Sequence, residues 1–256
     1  MPPRKHVLME ANYRQLLDER PNVAVLPWGA TEAHNYHLPH GTDVYEAQLL
    51  AEHAAGAAVE RGAKVVVLPT IPFGNDGQQL DQAATISIGT ATAAAILGDV
   101  AHSLQKQGID RLVILNAHGG NEFKPLVRDL QAATGILILV VNFWQLIPEV
   151  VNDIFDDPGD HGGDLETSLI MHLHPDLVAI DQAGPGAMNE FALKTTRQPG
   201  VWTPRPWSQT HPDTGAGDPR KATAEKGKRC FEAMSEKVAE LLVEVSGASK
   251  GQLPYV

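Results

Sequence analysis

Residues 111–120 read "RLVILNAHGG": four consecutive branched apolar side chains, then a histidine followed by two glycines. A run that is continuous rather than alternating is what a strand covered on both faces shows, and such strands belong to parallel sheets sandwiched between helices. Three further runs share the pattern, "NVAVLPWG" (22–29), "KVVVLPTIPFG" (64–74) and "GILILVVNFW" (135–144). Stretches of helical composition separate them, at 44–61, 91–107 and 122–134, the last closed by Gly135. This spacing accommodates a right-handed crossover helix between successive strands. The expected fold is a three-layer α/β/α arrangement with a mainly parallel central sheet.

The chain continues through a Gly, Pro and Asp loop at 152–164 into "LETSLIMHLHPDLV", a helix that stops at Pro175. Residues 183–219 are rich in Gly, Pro, Trp and Thr, after which a long closing helix is expected with Pro219 near its first turn. No internal repeat, low-complexity tract or linker interrupts the 256 residues, so residues 1–256 are read as a single domain. A chain of that length buries roughly 70 to 75% of the surface its unfolded form exposes, and needs no disulfide or structural metal to fold.

Composition removes several function classes. With 31 acidic against 20 basic residues the net charge is −11, and nucleic acid or an anionic membrane would demand a concentrated basic face. The basic cluster "EKGKRC" is flanked by Glu225 and Glu232 and reads as a solvated helix face. No apolar stretch reaches the roughly 18 residues a bilayer span requires, and the basic N-terminus lacks a signal-peptide core, so a cytoplasmic location is expected. The single cysteine, Cys230, excludes an internal disulfide framework and reads as an ordinary exposed or half-buried thiol. No G-x-S-x-G elbow, dinucleotide fingerprint or Walker A loop occurs.

What remains is a concentration of lone-pair donors. Glu32, His34 and Asp43 follow the first strand and His118 follows the third, which puts them at the carboxyl ends of parallel strands, where open α/β sheets bind ligands. Residues two apart in an extended stretch point the same way, so Glu32 and His34 can face one pocket. Carboxylate with imidazole is the donor set of Zn, Mn or Fe(II); sulfur sites are excluded by the cysteine count. The bland alternative is helix capping, for which Asp43, just ahead of a helix beginning at Val44, is well suited. Further along, "DHGGDLETS" offers Glu166, one turn into a helix, as a ligand or a surface acid, and His161 as a loop imidazole suited to proton transfer or to plain exposure. His37 and His40 read as supporting or structural. Trp144, at the end of the fourth strand, is a candidate pocket wall or a core residue.

The blocks "PWGATEAHNYHLPHGTD", "NAHGGN", "HGGDLETS" and "TGAGDPRKATAEKG" resemble, in this order and over nearly the whole chain, those of the creatininase family of metal-dependent amidohydrolases. The resemblance implies a three-layer fold, commonly a homohexamer, with a two-metal site at the strand ends. It further implies Glu32 and His118 as ligands of one ion, His34 of the other, Asp43 as the bridging carboxylate and His161 as the histidine that assists catalysis. Two departures stand out. Creatininase itself carries an aromatic and a glutamate directly after the histidine matching His118, where this chain has Gly119 and Gly120; Glu166, or second to it Glu122, is the expected replacement. The segment "FGNDGQQLDQAATISIG" also departs from the family pattern.

The expected activity is hydrolysis of a carbon–nitrogen bond in a small amide, open or cyclic, by a metal-activated water, with His161 passing a proton to the leaving nitrogen. Two rivals keep the same donors: a ring-opening hydrolase of a cyclic carbonyl or sugar-derived substrate, and a catalytically inert metal-binding assembly protein.

Overall fold

A computed structural model of the chain describes residues 3–249; residues 1–2 and 250–256 of the expected 1–256 domain lie outside the described residues. The strands are β1 (Val23–Trp28), β2 (Val65–Val67), β3 (Arg111–Asn116) and β4 (Leu137–Asn142), all parallel in the order β2-β1-β3-β4. The helices are α1 (Tyr13–Glu19), α2 (Thr42–Glu60), α3 (Thr90–Lys106), α4 (Phe123–Thr134), α5 (Pro148–Ile154), α6 (Asp164–Leu173), α7 (Trp207–Thr210) and α8 (Ala224–Gly247).

Side chains along each strand alternate between two apolar layers, as the pleat requires. Val23 and Val25 of β1 and Val113 and Leu115 of β3 face the layer formed with α2, α5, α6 and α8. Ala24, Leu26, Leu112 and Ile114 face α3 and α4 through Leu97, Ala101 and Phe123. Both faces are dry, which is why the runs read as continuous rather than alternating. The expected three-layer α/β/α fold is therefore the observed one. After β1 the chain winds to one side and returns past β1 to form β3, so the direction of winding reverses between those neighbours. Their carboxyl ends flank the crevice that a doubly wound sheet uses for ligands.

The second strand is shorter than the run at 64–74 suggests. Pro69 and Pro72 lack the N–H that a ladder needs, so pairing ends at Val67 and resumes only as an isolated bridge at Ile71. The outer edge of β2 is covered by the N-terminal segment, with Val67 N donating to His6 O at 2.7 Å and Leu8 N to Val67 O at 2.9 Å. Two short helices, α1 and α5, were not visible as amphipathic stretches; α1 buries no residue and forms around the Asn12–Gln15 capping box.

The closing helix also differs from expectation. Pro219 starts a separate 3-10 turn, Pro219–Lys221, and α8 begins at Ala224 with Thr223 as its N-cap, accepting from Lys226 N at 3.2 Å. Cys230 is fully buried rather than exposed, because Gly227, Cys230, Phe231, Met234 and Val238 share the inward stripe of α8 while the charges of "EKGKRC" lie mostly on the other face. Burial, with the nearby Glu46 carboxyl adding to it, pushes the Cys230 thiol up to about 12, which makes it inert. Among the described residues no helix is long and apolar enough to cross a membrane.

Helix α8 is locked to α6 by polar contacts as well as packing. Lys226 Nζ reaches Asp164 Oδ2 at 2.7 Å, and Ser168 Oγ donates to Asp164 Oδ1 at 3.1 Å while accepting from Thr223 N at 3.1 Å. Where the helices cross, a Cβ on Gly227 would stand 1.8 Å from Ser168 O. Gly227→Ala is therefore expected to lower the unfolding free energy by about 3 kcal/mol, the upper end of overpacking. Urea denaturation reads this as a lower midpoint; an unchanged midpoint would show that the crossing is not rigid.

Candidate metal centre

The carboxyl ends of β1 and β3 bring together most of the residues singled out above. Glu32, His34 and Asp43 are each at most 1% exposed, His118 5% and His161 7%. Asp43 is not a helix cap: α2 starts at Thr42, its N-cap is Gly41, and Asp43 sits inside the first turn. Its carboxylate instead spans two imidazoles, with Oδ1 2.8 Å from His34 Nε2 and Oδ2 3.2 Å from His118 Nδ1. His118 Nδ1 also lies 2.7 Å from Glu32 Oε1, and His34 Nε2 lies 4.0 Å from Glu166 Oε2. Gly29, at the end of β1, permits this start of α2, since a Cβ there would meet the Asp43 backbone at 2.7 Å.

His118 is held by its own block. Asn116 accepts from His118 N at 3.2 Å and donates to His118 O at 3.0 Å, while Asn121 Nδ2 donates to Asn116 Oδ1 at 3.1 Å. Of the two glycines that follow, the second has a steric reason, while a Cβ on Gly119 would meet nothing. A Cβ on Gly120 would lie 2.4 Å from both His118 Nε2 and Asn75 O, and one on Gly74 would lie 2.7 Å from His118 Cδ2. The backbone of 74–76 occupies the space in which a side chain at 120 would stand.

That segment supplies what the sequence reading missed. Asp76, fully buried, places Oδ1 2.8 Å from His118 Nε2, and Gln79 donates from Nε2 to Glu32 Oε2. Because β2 ends at Val67, residues 74–79 also lie beyond a strand's carboxyl end. The same positional rule applied to the second run would have found Asp76. Glu122, by contrast, is exposed ahead of α4 and belongs to none of the donor groups. His37 is buried with Nε2 2.8 Å from Thr167 Oγ1, and His40 Nε2 donates to Ala83 O at 2.8 Å, so both act structurally.

Three groups of three donors result: Glu32, Asp76 and His118; His34, Asp43 and Glu166; and Glu32, His34 and His161. Within each, the potential ligand atoms lie within 4.8 Å of one another. Glu32 Oε1, His34 Nε2, Asp43 Oδ2 and both Asp76 oxygens are buried without a hydrogen-bond partner among the described residues, although oppositely charged atoms stand within about 3 Å. Asp76 Oδ1 faces His118 Nε2, whereas Glu32 Oε1, His34 Nε2 and Asp43 Oδ2 converge on one space, and unpaired buried polar atoms are costly. Converging hard oxygen and imidazole donors fit divalent cations.

The electrostatics agree. Burial opposes ionisation at every group. At His34 the Asp43 carboxylate, and at His118 chiefly that of Glu32, overcome it and hold both imidazoles well above the usual range. Against the same opposition, His118 and His161 hold the Glu32 carboxyl below the usual carboxylate range. Burial wins at Glu166, pushed up to about 7, and at Asp76, pushed up to about 6. Four carboxylates thus draw positive charge into the pocket. His161 is different: burial first, then the charge on His34, push it down to about 4. Its Nε2 donates to Ala33 O at 2.7 Å, which leaves the lone pair on Nδ1, 3.9 Å from Glu32 Oε1.

A cleft of about 70 Å³ opens over the donors and is walled by Gln79, Gly120, Arg205 and Trp207. An adjoining recess of about 120 Å³, lined by Trp144, Phe143, Leu165 and Glu166, shares His161 with it. Trp144 is half-buried and so serves both as recess wall and as packing against the core. Trp207, nearly fully buried, meets His161 edge to face at 5.1 Å and donates Nε1 to Thr214 O at 3.0 Å. It lies in the Gly and Pro-rich segment, whose course had no periodic signal.

Comparison with known proteins gives a consistent result. The family model described as creatininase, creatinine amidohydrolase, matches residues 8–242. A mycofactocin precursor peptide peptidase of Mycolicibacterium smegmatis is 34% identical over 227 residues, 86% of this chain and 84% of the relative. A creatinine amidohydrolase of Pseudomonas putida is 30% identical over 181 residues, 62% of this chain and 67% of that one. Among solved structures, a protein of Bacteroides fragilis provisionally named as a creatinine amidohydrolase superposes with a TM-score of 0.90 at 36% identity, covering 96% of this chain and 98% of its own. A mutant creatininase of "Zn-Zn type" shares the fold, with a TM-score of 0.79 at 23% identity over 96% of this chain and all of that one. The four-block resemblance and these matches agree, and the chain belongs to the creatininase family, whose members are hydrolases.

Proposed function

We propose that this chain is a metal-dependent amidohydrolase that holds two divalent ions, Zn, Mn or Fe, and cleaves the C–N bond of a small amide. The observation that carries the reading is Asp43, whose two oxygens face two different imidazoles from the ends of two different strands. Asp43 is the bridging carboxylate in this reading, with Glu32 and His118 on one side and His34 and Glu166 on the other. Asp76 then holds the far nitrogen of His118, the usual carboxylate–histidine support of a metal ligand. When bound, the ions supply a water of lowered pKa and polarise the scissile carbonyl.

The chain's own residues handle the proton. His161 is neutral at neutral pH with its lone pair on Nδ1. It accepts the proton of the attacking water at Nδ1 and returns it to the leaving nitrogen. The stack of His34 on His161, centroids 4.0 Å apart, and the edge of Trp207 fix the ring plane. Trp144 bounds the side of the pocket that receives the substrate's apolar part. A peptide bond is the second reading, favoured by the peptidase names of relatives at 33–34% identity. A homo-oligomer, a hexamer by the resemblance, a single domain over 1–256 and a cytoplasmic location complete the proposal.

Elemental analysis of protein purified without chelators should find about two ions per chain, falling sharply in Asp43→Ala together with turnover of an amide and dipeptide panel. Metal-free wild type that stays inactive after Zn or Mn is added would overturn the reading. Asp76→Asn should weaken metal affinity about 10–100-fold without abolishing binding; an unaltered affinity would remove Asp76 from the support of His118. In chelator-stripped protein, imidazole NMR should show His161 as the Nε2–H tautomer down to about pH 5, protonating near 4. The unfolded chain takes up that proton near pH 6.5. His161's contribution to stability is therefore complete above pH 6.5 and is lost as pH falls toward 4. An imidazole still protonated at neutral pH, or an Nδ1–H tautomer, would exclude the neutral-base role.

A further inference from the structure

The cleft over the donors is acidic, with Glu32, Asp43, Asp160 and Glu166 on its walls. Among the described residues lining the cleft and its adjoining recess, Arg205 is the single lysine or arginine. A guanidinium there has no structural necessity: it lies in the irregular segment before α7 and joins no core. Its placement is nonetheless specific. Arg205 Cζ stands 4.3 Å over the ring of Trp207, the side chain that abuts His161, so the cation is carried on a fixed platform beside the proton-transferring residue. Trp207 is itself immobilised, stacked on His211 at 4.1 Å with its N–H bonded to Thr214 O.

Arg205 has one hydrogen-bond partner among the described residues, Asp160 Oδ2 at 2.7 Å from Nη1. The Asp160 side chain is 65% exposed and that of Arg205 34%. Such a pair contributes little to stability because water competes with it. One arm of a five-donor fork is engaged by an exposed surface acid, and the fork's geometry matches a carboxylate in two-point contact. The pair is therefore easily exchanged: an incoming carboxylate can take the guanidinium and release Asp160 to solvent.

We infer that Arg205 is a specificity residue, and that the substrate is an amide carrying a free carboxylate close to the scissile bond, as in an N-acylamino acid or the C-terminal end of a short peptide. The inference rests on the amidohydrolase reading and adds the substrate class to it. The carboxylate lies on Arg205, the amide over the donor cluster, and an apolar side chain in the recess walled by Phe143, Trp144 and Leu165.

The test compares N-acetyl-L-phenylalanine with its uncharged C-terminal amide, and Phe-Phe with Phe-Phe amide, on the full zinc-treated chain. Dissociation constants are measured by calorimetry, or KM for a probe that is turned over, with zinc content determined on the same samples. Wild type should prefer the acid of each pair by about tenfold, Arg205→Gln should bring the ratio close to one, and Asp160→Asn, which removes the competing acid, should raise it. The first pair reports an N-acylamino acid and the second a peptide terminus, so the preferred pair names the source of the carboxylate. Equal binding of acid and amide in wild type, no binding of either, or a preference that survives in Arg205→Gln overturns the inference. Absence of zinc overturns the metal reading separately, because the acid-to-amide ratio in the variants still judges Arg205.

Discussion

The structure turns on three buried carboxylates, Glu32, Asp43 and Asp76, and the half-buried Glu166, around three imidazoles at one edge of a parallel sheet. Removing carboxylates from water is costly unless positive charge accompanies them. Here the demand is visible in His34 and His118, whose protonated forms are favoured despite complete burial. A cluster that stabilises protons on imidazoles this strongly is one that divalent cations would relieve. The local architecture serves that arrangement: Asp43 lies in the first turn of α2, where the helix dipole favours a negative charge, and Gly29 lets that turn approach the end of β1.

The same constraint explains why the chain departs from the creatininase pattern after His118. Because the backbone at 74–76 crosses directly over Gly120, a carboxylate-bearing side chain cannot stand there. The crossing segment brings Asp76 against His118 in its place, and Glu166 from the start of α6 completes the donors around His34. Gly120 and the altered stretch 73–89, both departures noted in the sequence, therefore meet in space, whereas Gly119 has open space around it.

How much of this is legible in the sequence follows from what each feature depends on. Strand positions were readable because both faces of β1 and β3 are dry, and the crossover helices followed from spacing. Glu32, His34, Asp43 and His118 were readable because strand ends fix where they lie. Asp76 lies just past the second apolar run and was within reach of the same rule, but the prolines that end β2 at Val67 leave Asp76 and Gln79 on an irregular turn. Their approach to His118 and Glu32 depends on a non-periodic turn, held by Asn75 N donating to Asn121 Oδ1 and Asp76 N to Ser87 Oγ. Cys230 was misjudged from its charged neighbours, which on a helix occupy a different face from the residue itself.

The segment 183–219, which composition marked only as rich in Gly, Pro, Trp and Thr, is fastened at several points. Asn35, the residue after His34 and in a left-handed conformation, accepts from Gly184 N at 2.8 Å and donates to Gly184 O at 3.1 Å. Asp213 is 6% exposed and accepts from Gly186 N and Gly215 N. A Cβ on Gly184 would lie 2.3 Å from Asp213 Oδ2, and one on Gly186 would lie 1.9 Å from Gly217 O, so glycine is what lets the segment close on itself. Rigid walls select substrates by shape and charge rather than by adaptation. The segment that carries Trp207 and Arg205 is pinned to the loop bearing His34, so the walls of the cleft and the donors beneath them are held in one frame.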